Sequence, residues 1–145
     1  MKYKLQMLGL ILILFASPSC SNDYNSDYKE IQGSWQLFKF EDFEDGTVLD
    51  PNDGRPVQIT FRSDGGYDGV KGNNAIQGAY RLANDELIFA GGATTEISNT
   101  EWEEMFSRSI NKSIEGNEYV MPYSLDESEL ILDYEAQSQM FFMRK

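Results

Sequence analysis

Few side chains in this 145-residue sequence are of the types that usually carry catalysis. The sequence contains no His and a single Cys, Cys20. Nucleophilic sites of the Ser–His and Cys–His types are therefore excluded, and so are imidazole metal sites. The 24 Asp and Glu residues include pairs such as Glu101 and Glu104 that would suit acid–base work, but at this density such pairs arise by chance. We expect a protein that is not an enzyme, with no catalytic residue, no bound metal and no cofactor.

Two segments have the composition of ligand-binding loops. Residues 50–54 are similar to the start of a calcium loop, but Phe61 stands at the twelfth place, where a Glu ligand is needed. Residues 91–95 lie between a predicted strand and a predicted helix, without the Lys or the glycine spacing of a phosphate loop. We therefore predict a simple turn at 50–54 and a flexible connection at 91–95.

The single Cys follows a segment typical of a secretory signal peptide. Two lysines near the start precede an apolar run at 7–16, which is too short to cross a membrane, since that takes about 20 apolar residues. The small residues at 17–19 then lead directly to Cys20, an arrangement that resembles a lipobox. We predict that 1–19 is a signal peptide and that Cys20 carries lipid. The alternative is an ordinary signal peptide cleaved nearby, with Cys20 left as a free thiol.

A lipid on Cys20 implies a protein that is anchored to a membrane. Residues 20–30 are polar and are predicted to form a tether, with an Asn and an Asp that resemble the export tags of surface lipoproteins. We expect a location in the cell envelope, at the outer membrane of a Gram-negative bacterium. The net charge of −12 opposes binding to nucleic acid. The expected partners are the membrane and an envelope protein.

Residues 31–145 have the length of one domain, and most of them have the alternation that is typical of β-strands. The strands are predicted at 35–40, 57–61, 67–70, 75–82, 86–90, 118–123, 129–134 and 139–144. Trp35 and Leu37 are expected to point inward. Turn-forming residues fill 42–56, and Asn84-Asp85 is predicted to form a hairpin turn. Pro122 places its strand at an edge or a bulge.

One helix is predicted at about 100–112. Thr100 and Glu103 have the spacing of a capping box, in which each side chain binds a backbone N–H of the other. Apolar residues follow at i, i+3, i+4 and i+8, namely Trp102, Met105, Phe106 and Ile110. This stripe is expected to lie on a sheet.

The trio Gly72-Asn73-Asn74 is typical of a bulge or a tight bend. Gly72 permits positive φ, and an Asn tolerates the left-handed region or bonds its own backbone. A binding role for the trio is the alternative.

The ordered set of motifs from about 33 to 144 resembles the META-domain family, which includes heat-shock lipoproteins of the HslJ type. The residues that carry the resemblance are chiefly Gly33, Trp35, Gly72, Asn73, Asn74, Gly78 and Tyr80. The resemblance implies a mainly β fold: a small, twisted antiparallel sheet or partial barrel of about seven or eight strands with one packed helix. It also implies a role in the cell envelope or in stress, without an established enzymatic activity.

This sequence departs from the family at two positions. Many members have Cys where this chain has Asn73, and a second Cys at or beside the position of Asn99. Any chemistry that depends on those thiols is therefore not expected here. If the two family cysteines pair as a disulfide, Asn73 and Asn99 should lie opposite each other in the fold.

The opening Gly33-x-Trp35 is also similar to a lipocalin signature, and small barrels of that class hold apolar ligands. Two functions follow. The first is a non-enzymatic, lipid-anchored envelope protein that acts through contacts with a protein or with the envelope. The alternative is a lipocalin-like carrier of a small apolar ligand. A carrier needs an interior left unfilled by aromatic residues such as Phe61, Phe89 and Phe106.

Overall fold

The computed structural model of the protein describes residues 28–42, 46, 48–49, 55–95, 97 and 100–145. The predicted signal peptide, Cys20, Asn99 and the predicted turn at 50–54 lie outside the described residues. Within the described part, no helix is long and apolar enough to cross a membrane.

The described residues form ten strands and one long helix, after a helical turn at 28–30. The first six strands are β1 (Gly33–Asp42), β2 (Val48–Leu49), β3 (Val57–Phe61), β4 (Gly66–Lys71), β5 (Asn74–Ala83) and β6 (Glu86–Thr94). After them come α1 (Glu101–Lys112), β7 (Ile114–Glu115), β8 (Glu118–Leu125), β9 (Glu129–Glu135) and β10 (Ser138–Arg144).

Eight of the strands close into an antiparallel barrel. Their order is β10-β9-β8-β6-β5-β4-β3-β1, and β1 pairs again with β10. The two-residue strands β2 and β7 add short pairings to β1 and β8. The prediction of a mainly β sheet or partial barrel with one helix is confirmed, and the structure adds that the barrel is closed. Closure removes the free edges of the eight-strand sheet.

The barrel has two ends, which differ in what covers them. At the first, called the Trp35 end, Gly33 pairs with Phe61 and Trp35 pairs with Arg144. At the second, called the helix end, β4 turns into β5 after Lys71, and α1 packs there with Glu103 against Gly72 and Trp102 against Phe40.

The interior between the two ends is filled by side chains of the barrel itself. Trp35 and Leu37 are almost completely buried, which confirms their predicted direction. The largest fully buried side chains also include Phe61, Phe142, Ile59, Leu87, Met121, Leu130, Leu132 and Met140.

The predicted turns at Asn84-Asp85 and Gly72 are both confirmed. Asn84 and Asp85 have φ of 52° and 61°, as a two-residue type I′ hairpin requires. Gly72 has φ of 61° at the first central position of the turn that joins Lys71 to Asn74. This is the place of glycine in a type II′ turn.

The prediction of a flexible connection at 91–95 is wrong for most of that segment. Residues 91–94 continue β6 and pair with the start of β5. Gly78 pairs with Gly92 and Ala79 pairs with Ala90, so Gly91 is an extra residue with φ of 59°. Such a glycine bulge lets the strand bend while it stays paired. Likewise, the segment predicted as turns at 42–56 contains the paired residues Val48 and Leu49.

Pro122 lies where β8 has no ladder partner on one side, as predicted. β7 pairs with β8 only at Glu118 and Tyr119, while β9 pairs with it only from Tyr123 onward. Tyr123 donates its N–H to Asp85 on the β6 side. The nitrogen of Pro122 therefore points into the gap between β7 and β9, where a missing N–H costs no ladder bond.

The helix begins and packs as predicted. Thr100 Oγ1 accepts from the N–H of Glu103 at 3.4 Å, and Glu103 Oε2 accepts from the N–H of Thr100 at 2.9 Å. Trp102 and Phe106 are buried, and Met105 and Ile110 are partly buried against the same core.

Candidate functional site at the helix end of the barrel

Three of the family motif residues lie at the Trp35 end of the barrel and help to close it, namely Gly33, Trp35 and Tyr80. The indole Nε1 of Trp35 donates to the carbonyl oxygen of Ile31 at 2.7 Å. The guanidinium carbon of Arg144 lies 4.2 Å from the centroid of the Trp35 ring, a cation–π contact. Gly33, at φ of 116°, leaves room for the Arg144 side chain.

Tyr80 joins the residues before β1 to the same end. Its hydroxyl donates to the carbonyl oxygen of Arg62 at 2.9 Å, and its ring stacks on Tyr28 at a centroid distance of 5.5 Å. Residues 28–30, assigned to the tether from the sequence, thus contact the barrel. Burial raises the pKa of the Tyr80 hydroxyl above its usual range, which keeps it a neutral donor.

The motif Gly72-Asn73-Asn74 lies at the opposite end and does not form one site. Asn73 is exposed, whereas Asn74 is fully buried. Asn74 Oδ1 accepts from the N–H of Ile97 at 2.6 Å, and its Nδ2 donates to the carbonyl oxygen of Ile97 at 3.1 Å. Asn74 therefore holds the backbone of Ile97, a short distance before α1 in the chain. Because Asn99 lies outside the described residues, its position opposite Asn73 stays a prediction.

Position 72 has no room for a side chain, because Glu103 of α1 lies against it. A Cβ at this position would overlap the carboxylate of Glu103, which lies directly against the Gly72 backbone. Glu103 is fully buried, and no described donor reaches its Oε1. The indole Nε1 of Trp102 is also buried without a partner among the described residues. The sequence indicated that Glu103 caps the helix but did not reveal its burial.

Gly78 makes room for an aromatic ring inside the barrel. A Cβ there would overlap the ring of Tyr67 and the carbonyl oxygen of Gly91. The Tyr67 ring meets Phe89 edge to face, at a centroid distance of 5.1 Å. Burial and the neighbouring Tyr119 hydroxyl raise the pKa of Tyr67.

Lys71 is the functional candidate that the sequence analysis missed. It is only 5% exposed, and its Nζ donates to the Oγ of Ser107 on α1 at 2.8 Å. Tyr67, Gly69 and Lys71 alternate along β4, so Lys71 continues the inward row that begins with buried Tyr67. The strand predicted at 67–70 ends one residue before Lys71, so the alternation was not extended to it.

A cavity of about 300 Å³ opens beside Lys71, between α1 and the strands β4, β5 and β6. Its walls are mainly apolar, and its polar groups are the ammonium of Lys71, several hydroxyls and an amide. The residues that line it include Ile59, Tyr67, Lys71, Phe89, Phe106 and Ser107. Ammonium and hydroxyl groups are hydrogen-bond donors, so the arrangement suits a ligand with an acceptor group and an apolar part.

A second cleft, of about 450 Å³, lies in the gap between β8 and β9 near Pro122. It is more polar and carries the carboxylates of Glu115, Asp133 and Glu135. Asp133 accepts from Gln139 at 2.6 Å. Within the described part of the chain, no group of His, Cys, Asp or Glu side chains is arranged to hold a metal ion.

The sequence matches the family model of the META domain over residues 29–145. The chain belongs to the META-domain family. The resemblance that was based on the Gly33, Trp35 and Gly72–Tyr80 motifs is thereby confirmed. No curated protein sequence gives a significant match to this META-domain chain.

Several solved structures share the fold. An NMR structure of a protein from Burkholderia xenovorans is 17% identical with a TM-score of 0.62, covering 100% of this chain and 99% of that chain. A lipocalin-like protein from Bacteroides uniformis is 17% identical with a TM-score of 0.55, covering 80% of this chain and 99% of that one. A DUF4847 family protein from Bacteroides vulgatus is 16% identical with a TM-score of 0.56, covering 83% and 97%. At these identities the likeness concerns the fold alone.

Proposed function

We propose that this META-domain protein is a non-enzymatic, lipid-anchored protein of the cell envelope, held at the outer membrane by lipid on Cys20. In this proposal it acts through contacts between the outside of its barrel and another protein or the envelope itself, in a stress-related role. Membership of the META-domain family agrees with this proposal, and the apolar segment that leads to Cys20 supports the anchor.

The observation that carries the proposal is the filled interior. Trp35, Phe61 and Phe142 are each no more than 2% exposed, so they fill the barrel inward from the Trp35 end. A deep calyx for a carried ligand would need this space. Close-packed side chains leave the outer surface and the helix end as the places where contact with other molecules occurs.

The alternative, a lipocalin-like carrier of a small apolar ligand, is less well supported for the same reason. Among the described residues, a cavity of about 300 Å³ remains at the helix end. Binding there would add to an anchored protein rather than replace the anchor.

The anchor is tested by labelling cells with radioactive palmitate. Wild-type protein and Ser21→Ala, a matched change next to the anchor site, should incorporate label and sediment with membranes. Cys20→Ala should lose both the label and the sedimentation, because it removes the single thiol of the chain. Wild-type protein that stays unlabelled while a known lipoprotein in the same cells is labelled would contradict the proposal.

A further inference from the structure

We propose that the helix-end cavity is a binding site for a small amphiphilic carboxylate, whose charged group pairs with Lys71. The inference goes beyond the anchoring proposal and is independent of it. A volume of about 300 Å³ lies at the lower limit of ordinary ligand pockets. The ligand is therefore a short-chain molecule and not a long lipid.

Lys71 carries a positive charge in a buried position. Burying an ammonium is costly unless an anion or several acceptors compensate it. Within the described part of the chain, no carboxylate oxygen lies within 4.0 Å of Lys71 Nζ, and its side-chain partner is the neutral Ser107 hydroxyl. The exposed Arg81, in contrast, has a carboxylate partner in Glu118. An ammonium has three N–H donors, so Lys71 keeps capacity for an added acceptor.

Among the described carboxylates, Glu103 lies against Gly72, the residue next to Lys71, but it is engaged elsewhere. Its Oε2 accepts from the backbone of Thr100, and its Oε1 lies against Gly72. Turning this carboxylate toward Lys71 would break the capping box that begins the helix. Ser107 is also constrained, because its hydroxyl already donates to the carbonyl oxygen of Glu103 at 3.0 Å. Ser107 therefore accepts from Lys71, and an incoming carboxylate would supply the charge that Ser107 lacks.

The walls of the cavity explain why the ligand must also be apolar. Ile59, Phe89 and Phe106 line it, and Gly92 opens its rim without a side chain. Tyr67 and Tyr119 also line the cavity, and a tyrosine hydroxyl is a hydrogen-bond donor. An apolar chain would cover the aromatic surfaces while its carboxylate reaches the ammonium, which is the pairing expected of a buried charge.

The acidic surface makes the inference testable. A chain of net charge −12 repels anions in general. Saturable binding of an anion therefore reports a specific cationic site rather than surface attraction.

The test is an NMR titration of the chain from Ser21 onward, which keeps every strand of the closed barrel. Octanoate is the probe, and octanamide is its neutral match in size. Octanoate should bind about tenfold or more tightly, the size expected for one charge-assisted hydrogen bond. Shifts should appear at the amides of Gly92, Phe106 and Ile110 and not at Trp35. Equal affinities, or no saturable shift at the cavity in the folded chain, would overturn the proposal.

Substitutions at Lys71 provide the second arm. Lys71→Met should reduce the affinity for octanoate to that for octanamide, Lys71→Arg should retain the preference, and Lys145→Met, which removes an exposed lysine, should bind like wild type. Unchanged octanoate binding in Lys71→Met would assign the anion to another place. If Lys71→Met does not fold, the comparison of octanoate with octanamide on wild-type protein decides alone.

Discussion

Each end of the barrel has a buried Trp and a cation, but these groups have hydrogen-bond partners of different kinds at the two ends. At the Trp35 end the indole N–H reaches the carbonyl oxygen of Ile31, and Arg144 donates to the carbonyl oxygens of Glu127 and Gln32 as it lies over the ring. At the helix end the indole N–H of Trp102 has no partner among the described residues. The buried cation there, Lys71, contacts a neutral hydroxyl.

The Trp35 end is therefore closed and its polar groups are paired. The helix end retains a cavity and polar groups that could make further hydrogen bonds. Buried polar groups are paired in most proteins, and each exception needs an explanation, such as strain, an ordered water or ion, or a functional role. The Trp35 end closes the barrel with the help of residues just before β1. At the helix end, α1 covers the barrel but leaves a cavity beside Lys71.

The largest expected effect comes from removing a Phe ring, either Phe142 inside the barrel or Phe106 at the helix end. Phe142→Ala should lower the free energy of unfolding by about 5 kcal/mol, because the ring is completely enclosed. Phe106→Ala should cost about 3 kcal/mol, at the lower end of the usual range, because the ring already borders a cavity. Urea denaturation measures both.

Glu104→Ala, on the exposed face of the same helix, is the control and should change stability by less than about 0.5 kcal/mol. A cost below about 1 kcal/mol for Phe106→Ala would mean that the helix does not pack on the barrel as described.

The next effect concerns the contact between Gly72 and Glu103. Gly72→Ala should cost on the order of 3 kcal/mol, because it adds the strain of positive φ to a clash with the carboxylate. Gly116→Ala, at φ of 64° with nothing within 4 Å, should cost only the strain, about 1 kcal/mol.

Repeating Gly72→Ala in a Glu103→Ala background isolates the clash. Its cost should fall to that of Gly116→Ala, since the overlapping group is gone. If the cost is the same in both backgrounds, Glu103 does not lie against Gly72 in solution.

The smallest effects come from a matched pair of tryptophans. Trp35→Phe should cost about 2–3 kcal/mol, because it leaves the carbonyl oxygen of Ile31 unpaired and reduces a filled volume. Trp102→Phe removes a donor that has no described partner and should cost less than about 1 kcal/mol. Thermal unfolding of the two variants measures both losses of stability. Equal losses would show that the two indole N–H groups are equally well hydrogen-bonded.

Most local structure of this protein could be predicted from its sequence. The turn at Asn84-Asp85 was visible because these residues tolerate positive φ, and the helix start was visible from Thr100 and Glu103. The glycine bulge at Gly91 was not predicted, because glycine-rich composition is common to loops and to bent strands. Pairing with β5 makes this segment a strand, and the composition of residues 91–95 does not reveal that partner.

The sequence by itself determined the alternation of the strands, the position and capping of the helix, and the membership of a family that the motifs at Gly33 and Gly72 indicate. The tertiary structure alone decided that Trp35 meets Arg144, that Glu103 lies against Gly72, and that Lys71 faces a cavity. The reason is physical. Turns, caps and strand alternation depend on neighbours within a few residues, whereas closure of the barrel and burial of a charge depend on residues brought together from distant parts of the chain.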